Sequence, residues 1–288
     1  MNDEFVNALK TADPVAAICR ALGIARSGFY ARRARGPSAA AQRAVKLDVE
    51  VGAAFKRRRG RYGSPRVVND LRVQGRVVSR RRVAVSLRRQ GLVARPKRKF
   101  ITTTDASHGR PSPPNLVRRN FTTDKPNQVW VADTTYLPTR SGFVFLVVVL
   151  DLFARRVVGW SVADSLDSAL AARALCRAAK ARLPSPGLIV HTDRGGEFLS
   201  NAWQAVLEAI GARASASATG CCFDNAVAES FFSTLEFEGP TTRLWRDAED
   251  AERALPAFLE TWYNDERFHS FNGQRSPAET EARWRLAA

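Results

Sequence analysis

The chain of 288 residues, 45% of them apolar and 9% aromatic, is long enough for one large folded domain beside smaller ones. Its net charge of +17 points to a polyanionic partner, and the lack of any run of eighteen apolar residues argues against a membrane span. The start MNDEFVNALK lacks the order of a secretory signal, and Cys19, Cys176, Cys221 and Cys222 have no CxxC spacing, so a cytoplasmic protein without disulfides or structural zinc is expected.

In chain order, DPVAAICRALGIARSGFYARRAR carries two short helical stretches parted at Gly23, and residues 1–55 are expected to be an N-terminal helical segment. The composition then changes abruptly. From Lys56 to Lys99, 17 Lys and Arg stand against one acid, Asp70, whereas residues 100–288 hold 20 basic and 22 acidic side chains. The positive charge therefore belongs to a module, residues 56–99. Within it, Ser64-Pro65 predicts a helix start, followed by the apolar stripe Val67, Val68 and Leu71 and a stop near Gly75. Ser79 is placed to cap a second helix that ends at Gly91, with Val83, Val85 and Leu87 inward. The product is a helix-turn-helix. Arg66, Arg80, Arg81, Arg82, Arg88 and Arg89 are its candidate DNA contacts, to phosphates or to base edges.

Residues 100–125, with TTTDASHGRPSPPN, have the composition of a linker. Residues 126–283 are expected to be one α/β domain with a C-terminal helical extension. Gln128–Leu137, Phe143–Asp151 and Arg155–Val162 predict three strands joined by short turns as antiparallel neighbours, and the run FVFLVVVL marks the second as central. A helix over Asp167–Leu183, a strand at Leu188–His191, a helix over Asn201–Ile210 and a strand at Arg213–Ser217 complete a mixed five-stranded sheet. Asp224 is placed to cap a last helix, on which Val227, Phe231 and Leu235 face the core.

Three acids stand out against this pattern: Asp133 inside an apolar strand, Asp193 in HTDRGGEF, and Glu229 in DNAVAESFFSTLEFE. A carboxylate buried in a strand is costly unless it is paired or binds a metal. Three hard oxygen donors brought together suit divalent cations and phosphodiester chemistry. Taken singly, Asp193 also reads as a turn residue and Glu229 as a solvated helix residue. His191 either orients a phosphate or is a satisfied strand-end histidine, Asn225 either caps the helix or positions DNA, and Asp151 reads as structural. Asp133 and Asp193 are separated by 59 residues, Asp193 and Glu229 by 35.

With those spacings, and with the segments YGSPRVVNDL, QVWVADTTYL, VVVLDLFARRVVGWSV, HTDRGGEF, CFDNAVAESFFSTLEFE and YNDERFHSFNGQRSPAE in this order, the chain resembles the catalytic reading-frame B transposases of IS3-family insertion sequences and, more distantly, retroviral integrase cores. The resemblance implies a ribonuclease H-like core in which Asp133, Asp193 and Glu229 are the catalytic and metal-binding residues for two Mg²⁺ or Mn²⁺ ions. It also implies cleavage and strand transfer of DNA ends. Transposon terminal repeats and target DNA are the expected partners, along with further copies of the chain and an upstream frame-A protein or fusion. The setting implied is the bacterial nucleoid. In the YNxxRxH pattern, formed by Tyr263, Asn264, Arg267 and His269, Arg267 and His269 are candidate phosphate contacts.

Two departures from the family pattern keep a second class open. Glu236, nearly two helical turns after Glu229 and so on the same face, stands where the family carries Lys or Arg. Ala218-Thr219 and Cys222 replace basic and aromatic residues. The alternative is a catalytically inactive DNA-binding regulator of the same element.

Overall fold

The computed structural model describes residues 15–94, 112–217, 225–240 and 245–287. Most of the expected linker (residues 100–111), Ala218, Thr219, Cys222 and the expected cap Asp224 lie outside them. Two compact units divide the chain, Met1–Ala94 and Arg95–Ala288. No helix among the described residues is long and apolar enough to cross a membrane.

The first unit is all helical. Helices α1 (Val15–Ala21) and α2 (Arg26–Ala34) flank Gly23, which adopts φ +64, a left-handed conformation that glycine takes without a Cβ penalty. Ile18, Cys19 and Phe29 form their small core. Helix α3 (Ala39–Arg57), capped by the Ser38 hydroxyl, packs against both α4 (Ser64–Val73) and α5 (Arg80–Arg89). Its buried Leu47, Val51, Ala54 and Phe55 recur at helical spacing.

Ser79 caps α5 as expected, accepting from the Arg82 amide. Val85 departs from expectation and is 48% exposed, because Val83, Ser86 and Leu87 take the inward stripe and Val85 lies on the far side of the turn. Asp70, the single acid of the basic module, is buried on α4. It binds Arg58 at 2.7 Å and Arg57 at 2.8 Å, joining the end of α3 to α4.

The second unit is built on a five-stranded sheet of order β3-β2-β1-β4-β5. The strands are β1 (Val129–Thr139), β2 (Gly142–Asp151), β3 (Arg156–Ala163), β4 (Ile189–Thr192) and β5 (Arg213–Ala216). β1, β2 and β3 pair antiparallel, and β4 and β5 run parallel to β1. Helices α6 (Ser168–Arg182) and α7 (Asn201–Ala209) cover one face over Trp130, Val147, Val149, Leu170, Leu175 and Trp203. The other face is covered by α8 (Ala226–Glu238), α9 (Ala248–Pro256) and its π-helical continuation Ala257–Glu266, over Val131, Leu146, Val148, Phe231, Leu235 and Leu259. From Leu146 to Leu150 β2 is continuously apolar because both of its faces are buried, whereas Phe143 near its start is exposed. Each such Val or Leu contributes roughly 1.5–3 kcal/mol. α6 lies so close on β3 that a Cβ at Gly159 would sit 2.4 Å from the Ala174 carbonyl.

The last helix, α10 (Pro277–Ala287), is tied to the sheet by charge. Its fully buried Glu281 accepts from Arg156 at 2.9 Å and Arg182 at 2.8 Å, and Arg182 also reaches Asp151. Asp151, at the end of β2, further accepts the amides of Asn127 and Phe153. Its role is structural, as its place at a strand end suggested.

Candidate active site

Strand pairing decides where the acids fall. β4 pairs with β1 only along Val129–Val131, so β1 runs on past the end of β4, and Asp133 emerges beside the loop that follows Thr192. Asp193 is the first residue of that loop. The Asp133 carboxylate accepts the Thr134 amide at 2.8 Å, and the Asp193 carboxylate accepts the Gly195 amide at 2.9 Å. Glu229 stands in the first turn of α8, where the helix dipole favours negative charge.

Asp133 is the centre of the group, since the charges of Asp193, Glu197 and Glu229 all act on it. Burial, and then the charge of Asp193 with smaller effects from Glu197 and Glu229, holds the Asp133 carboxyl well above the usual carboxylate range. Burial pushes Asp193 up to about 6, with Glu197 adding to the effect and the Gly195 amide opposing it. Burial also raises Glu229. Among the described residues no three His, Cys, Asp or Glu side chains stand close enough together to hold a metal ion as they are placed. The site is a cluster of partly desolvated hard oxygen donors that resist ionising together.

Glu197 is a fourth member that sequence reasoning missed. It lies in the 3₁₀ turn Gly196–Leu199 and accepts the Thr134 hydroxyl at 2.8 Å, directly beside Asp133. A Cβ at Gly195 would fall 2.5 Å from its Oε2, so the carboxylate folds back over a residue without a side chain. The available signal was an acid four residues after Asp193 across a Gly-Gly pair.

The flanking candidates divide. His191 is fully buried and meets Ser215 Oγ at 2.8 Å and Ser217 Oγ at 3.3 Å, so it braces β4 against the end of β5. Asn225 begins α8 without a capping bond from its side chain. Its φ of −116° and ψ of 23° lie outside the usual extended geometry of a cap, and both amide atoms are buried with no hydrogen-bond partner among the described residues. Arg267 and His269, expected at phosphates, are each 6% exposed. Arg267 grips Glu238 of α8 through Nε at 3.1 Å and Nη2 at 3.0 Å, and His269 meets the Tyr263 ring edge-on. Asn264 of the same motif serves the β3 bulge, where Val158 is the extra residue. Its amide bonds both the N–H and the C=O of Val157 at 2.9 Å. The YNxxRxH pattern is a packing lock in this structure.

In the first unit Arg80, Arg81, Arg82, Arg88 and Arg89 are exposed on α5, with Arg89 also bound to Asp48 at 2.7 Å. Arg66 is half-buried over the Tyr62 ring.

A five-stranded mixed sheet in the order 3-2-1-4-5, helices on both faces, and acids gathered where β1 and β4 end define the ribonuclease H-like class with an integrase-type core. Integrase core domain families match residues 123–222 and 210–277, and an HTH-like domain family matches residues 42–100. Over 270 residues the chain is 42% identical to the transposase InsF for insertion sequence IS3A of Escherichia coli (strain K12), covering 93% of each chain. It is also 34% identical over 261 residues to an uncharacterized 31 kDa protein of insertion element IS600 from Shigella sonnei, covering 91% of this chain and 96% of the relative. The chain belongs to the IS3-family transposases. Among solved structures, the HTLV-2 integrase catalytic core domain in complex with magnesium aligns over 55% of this chain and 98% of its own, at 18% identity and a TM-score of 0.39.

Proposed function

We propose that this transposase is a DDE enzyme that cuts and joins the ends of its insertion sequence with divalent metal, Asp133, Asp193 and Glu229 being the catalytic residues. The observation that carries the reading is the placement of these acids: β1 runs past the end of β4, so that Asp133 stands beside the loop beginning at Asp193, and the charges of Asp193 and of Glu229 in α8 both act on the buried Asp133 carboxyl. The donor set fits the group: all ligands are carboxylate oxygens, partly desolvated, with raised proton affinities that a hard divalent cation relieves. Asp133, Asp193 and Glu229 would hold two Mg²⁺ or Mn²⁺ ions, which supply Lewis acidity and an activated water or 3′-hydroxyl.

The residues of the chain do the rest. The amides of Thr134 and Gly195 fix one oxygen each of Asp133 and Asp193, leaving the others to turn inward. Burial makes the site poor in competing water, which strengthens its electrostatics. The exposed arginines of α5 bind DNA, through phosphates, bases or both, and so bring the ends to the core. Arg267 and His269 do not enter this proposal, since their polar atoms are engaged in the packing lock. Further copies of the chain and a frame-A partner complete the assembly on DNA.

The test is strand cleavage and joining on a labelled fragment carrying the element's terminal repeat, in Mg²⁺ or Mn²⁺, with and without the upstream partner. Products from the wild-type chain that vanish with Asp193→Asn are expected. One observation favours a second reading, an inactive regulator: Glu236, an acid, is exposed on α8, the helix that carries Glu229. Specific binding to the repeat without products in any metal would establish it.

A further inference from the structure

Beyond the acidic cluster, the hairpin of β1 and β2 carries aromatic surface that the core does not use. Register places Tyr136 opposite Phe145 and Pro138 opposite Phe143, and strand alternation puts all four on the face of Thr134, the residue that holds Glu197. Closer to the middle of the sheet this face is covered, with Val147 and Val149 in the core under α6. Toward the hairpin tip Tyr136 is 46% and Phe143 58% exposed, their rings meeting edge to face at 5.4 Å.

The tip is held firmly. Arg140 and Ser141 donate their amides to the carbonyls of Trp245 and Arg246, and Trp245 is buried. Two large rings on a fixed support, with Pro138 also facing water, make an exposed apolar patch of the kind that serves recognition. Arg140, exposed at the same tip, makes its margin positive and suited to a polyanion, and Arg246 beside it is exposed with Asp250 4.0 Å away. The ladder begins about 7 Å along β1 from Thr134, at two residues of strand rise, the height of about two stacked bases; it shares its sheet face with Thr134 and so with Glu197, while Asp133 alternates to the other face with Val131 and Leu137.

We propose that Tyr136, Pro138 and Phe143, backed by Phe145 where it packs on the core, form a stacking platform for unpaired bases of a DNA strand that passes the acidic cluster on its Glu197 side. A base inside a duplex shows only its edges, so rings of this kind find a free face at a frayed or single-stranded end. The platform thereby selects opened DNA ends over intact duplex. This rests on the DNA-processing function proposed above.

Fluorescence anisotropy tests it with two probes of equal nucleotide number, a blunt duplex of arbitrary sequence and a duplex ending in short single-stranded tails. The wild-type chain is expected to prefer the tailed probe by about tenfold, the scale of one to two base stacks. Tyr136→Leu with Phe143→Leu keeps the apolar surface but removes the rings. It is expected to erase the preference while leaving blunt-duplex affinity unchanged, and Tyr136→Phe to retain the preference. Phe143→Leu alone, altering the more exposed ring, serves if the double variant does not fold. A tail preference that survives in the folded leucine variants overturns the proposal, as does an equal loss on both probes. A change in oligomeric state by light scattering, with the preference intact, overturns it in favour of an interface between copies. Failure of the wild-type chain to bind either probe overturns the DNA-binding reading itself, and the platform with it.

Discussion

Asp193 shows what burying a single carboxyl costs. Its carboxyl titrates near 6, chiefly because it is buried, while the same group in the unfolded chain titrates near 4. A carboxyl that holds its proton more tightly when folded adds stability that is complete below about pH 4 and is lost as pH climbs through about 6. Without added metal, the unfolding midpoint is therefore expected to fall across that window, and Asp193→Asn to flatten the fall. Thermal melts by circular dichroism at stepped pH decide it, an unchanged slope in the variant placing the effect elsewhere. Asp70 is an opposite case. As the lone acid in its module it looked incidental, yet it engages Arg57 and Arg58, so the net charge of that stretch overstates what a phosphate backbone meets.

Among the elements, α10 and α6 are joined to β3 by one carboxylate. Removing Glu281 would leave Arg156 and Arg182 facing each other without their shared acid, the most expensive way to break a buried pair. Glu281→Ala is expected to cost about 3–5 kcal/mol in urea unfolding, whereas Glu279→Ala, earlier on the same helix and paired only with the exposed Arg283, should cost under about 1 kcal/mol. Equal losses would refute a special role for Glu281. The strands of this unit were legible in the sequence to within about two residues, because a run such as FVFLVVVL fits a strand covered on both faces, as it is from Leu146 to Leu150, although Phe143 at its start is exposed. The acids proposed as catalytic stood out for a related reason, as Asp133 in an apolar strand has few innocent explanations. Glu197 was not legible, since only the fold-back over Gly195 brings it to Thr134. Arg267 misled because a cation in a polar motif looks the same in sequence whether it meets a phosphate or Glu238. Val85 was misplaced by counting apolar residues without turning the helix.

For the whole molecule, charge and chemistry are parted between two units, the arginine-rich α5 in one and the acids in the other. Affinity for DNA should therefore depend strongly on salt without depending on the catalytic acids. Replacing Arg80, Arg81 and Arg82 together by Ala is expected to reduce the slope of log K against log salt by up to about 3, near 0.9 for each phosphate left without its arginine. Asp193→Asn should leave the slope unaltered. Titrations at several salt concentrations measure both, and an unchanged slope in the triple variant would move the DNA-binding surface off α5.

The acidic cluster draws on Asp133 early in the sheet and Glu229 far along the chain, and the sheet beneath it is clamped by Glu281, seven residues before the final Ala288. During synthesis the strand bearing Asp133 leaves the ribosome well before α8 and α10 exist to complete its surroundings. A nascent or prematurely ended chain can thus carry every arginine of its helix-turn-helix and still have no assembled centre. Fragments of this kind would occupy DNA without cutting it, and an interrupted translation would yield a competitor of the full-length chain.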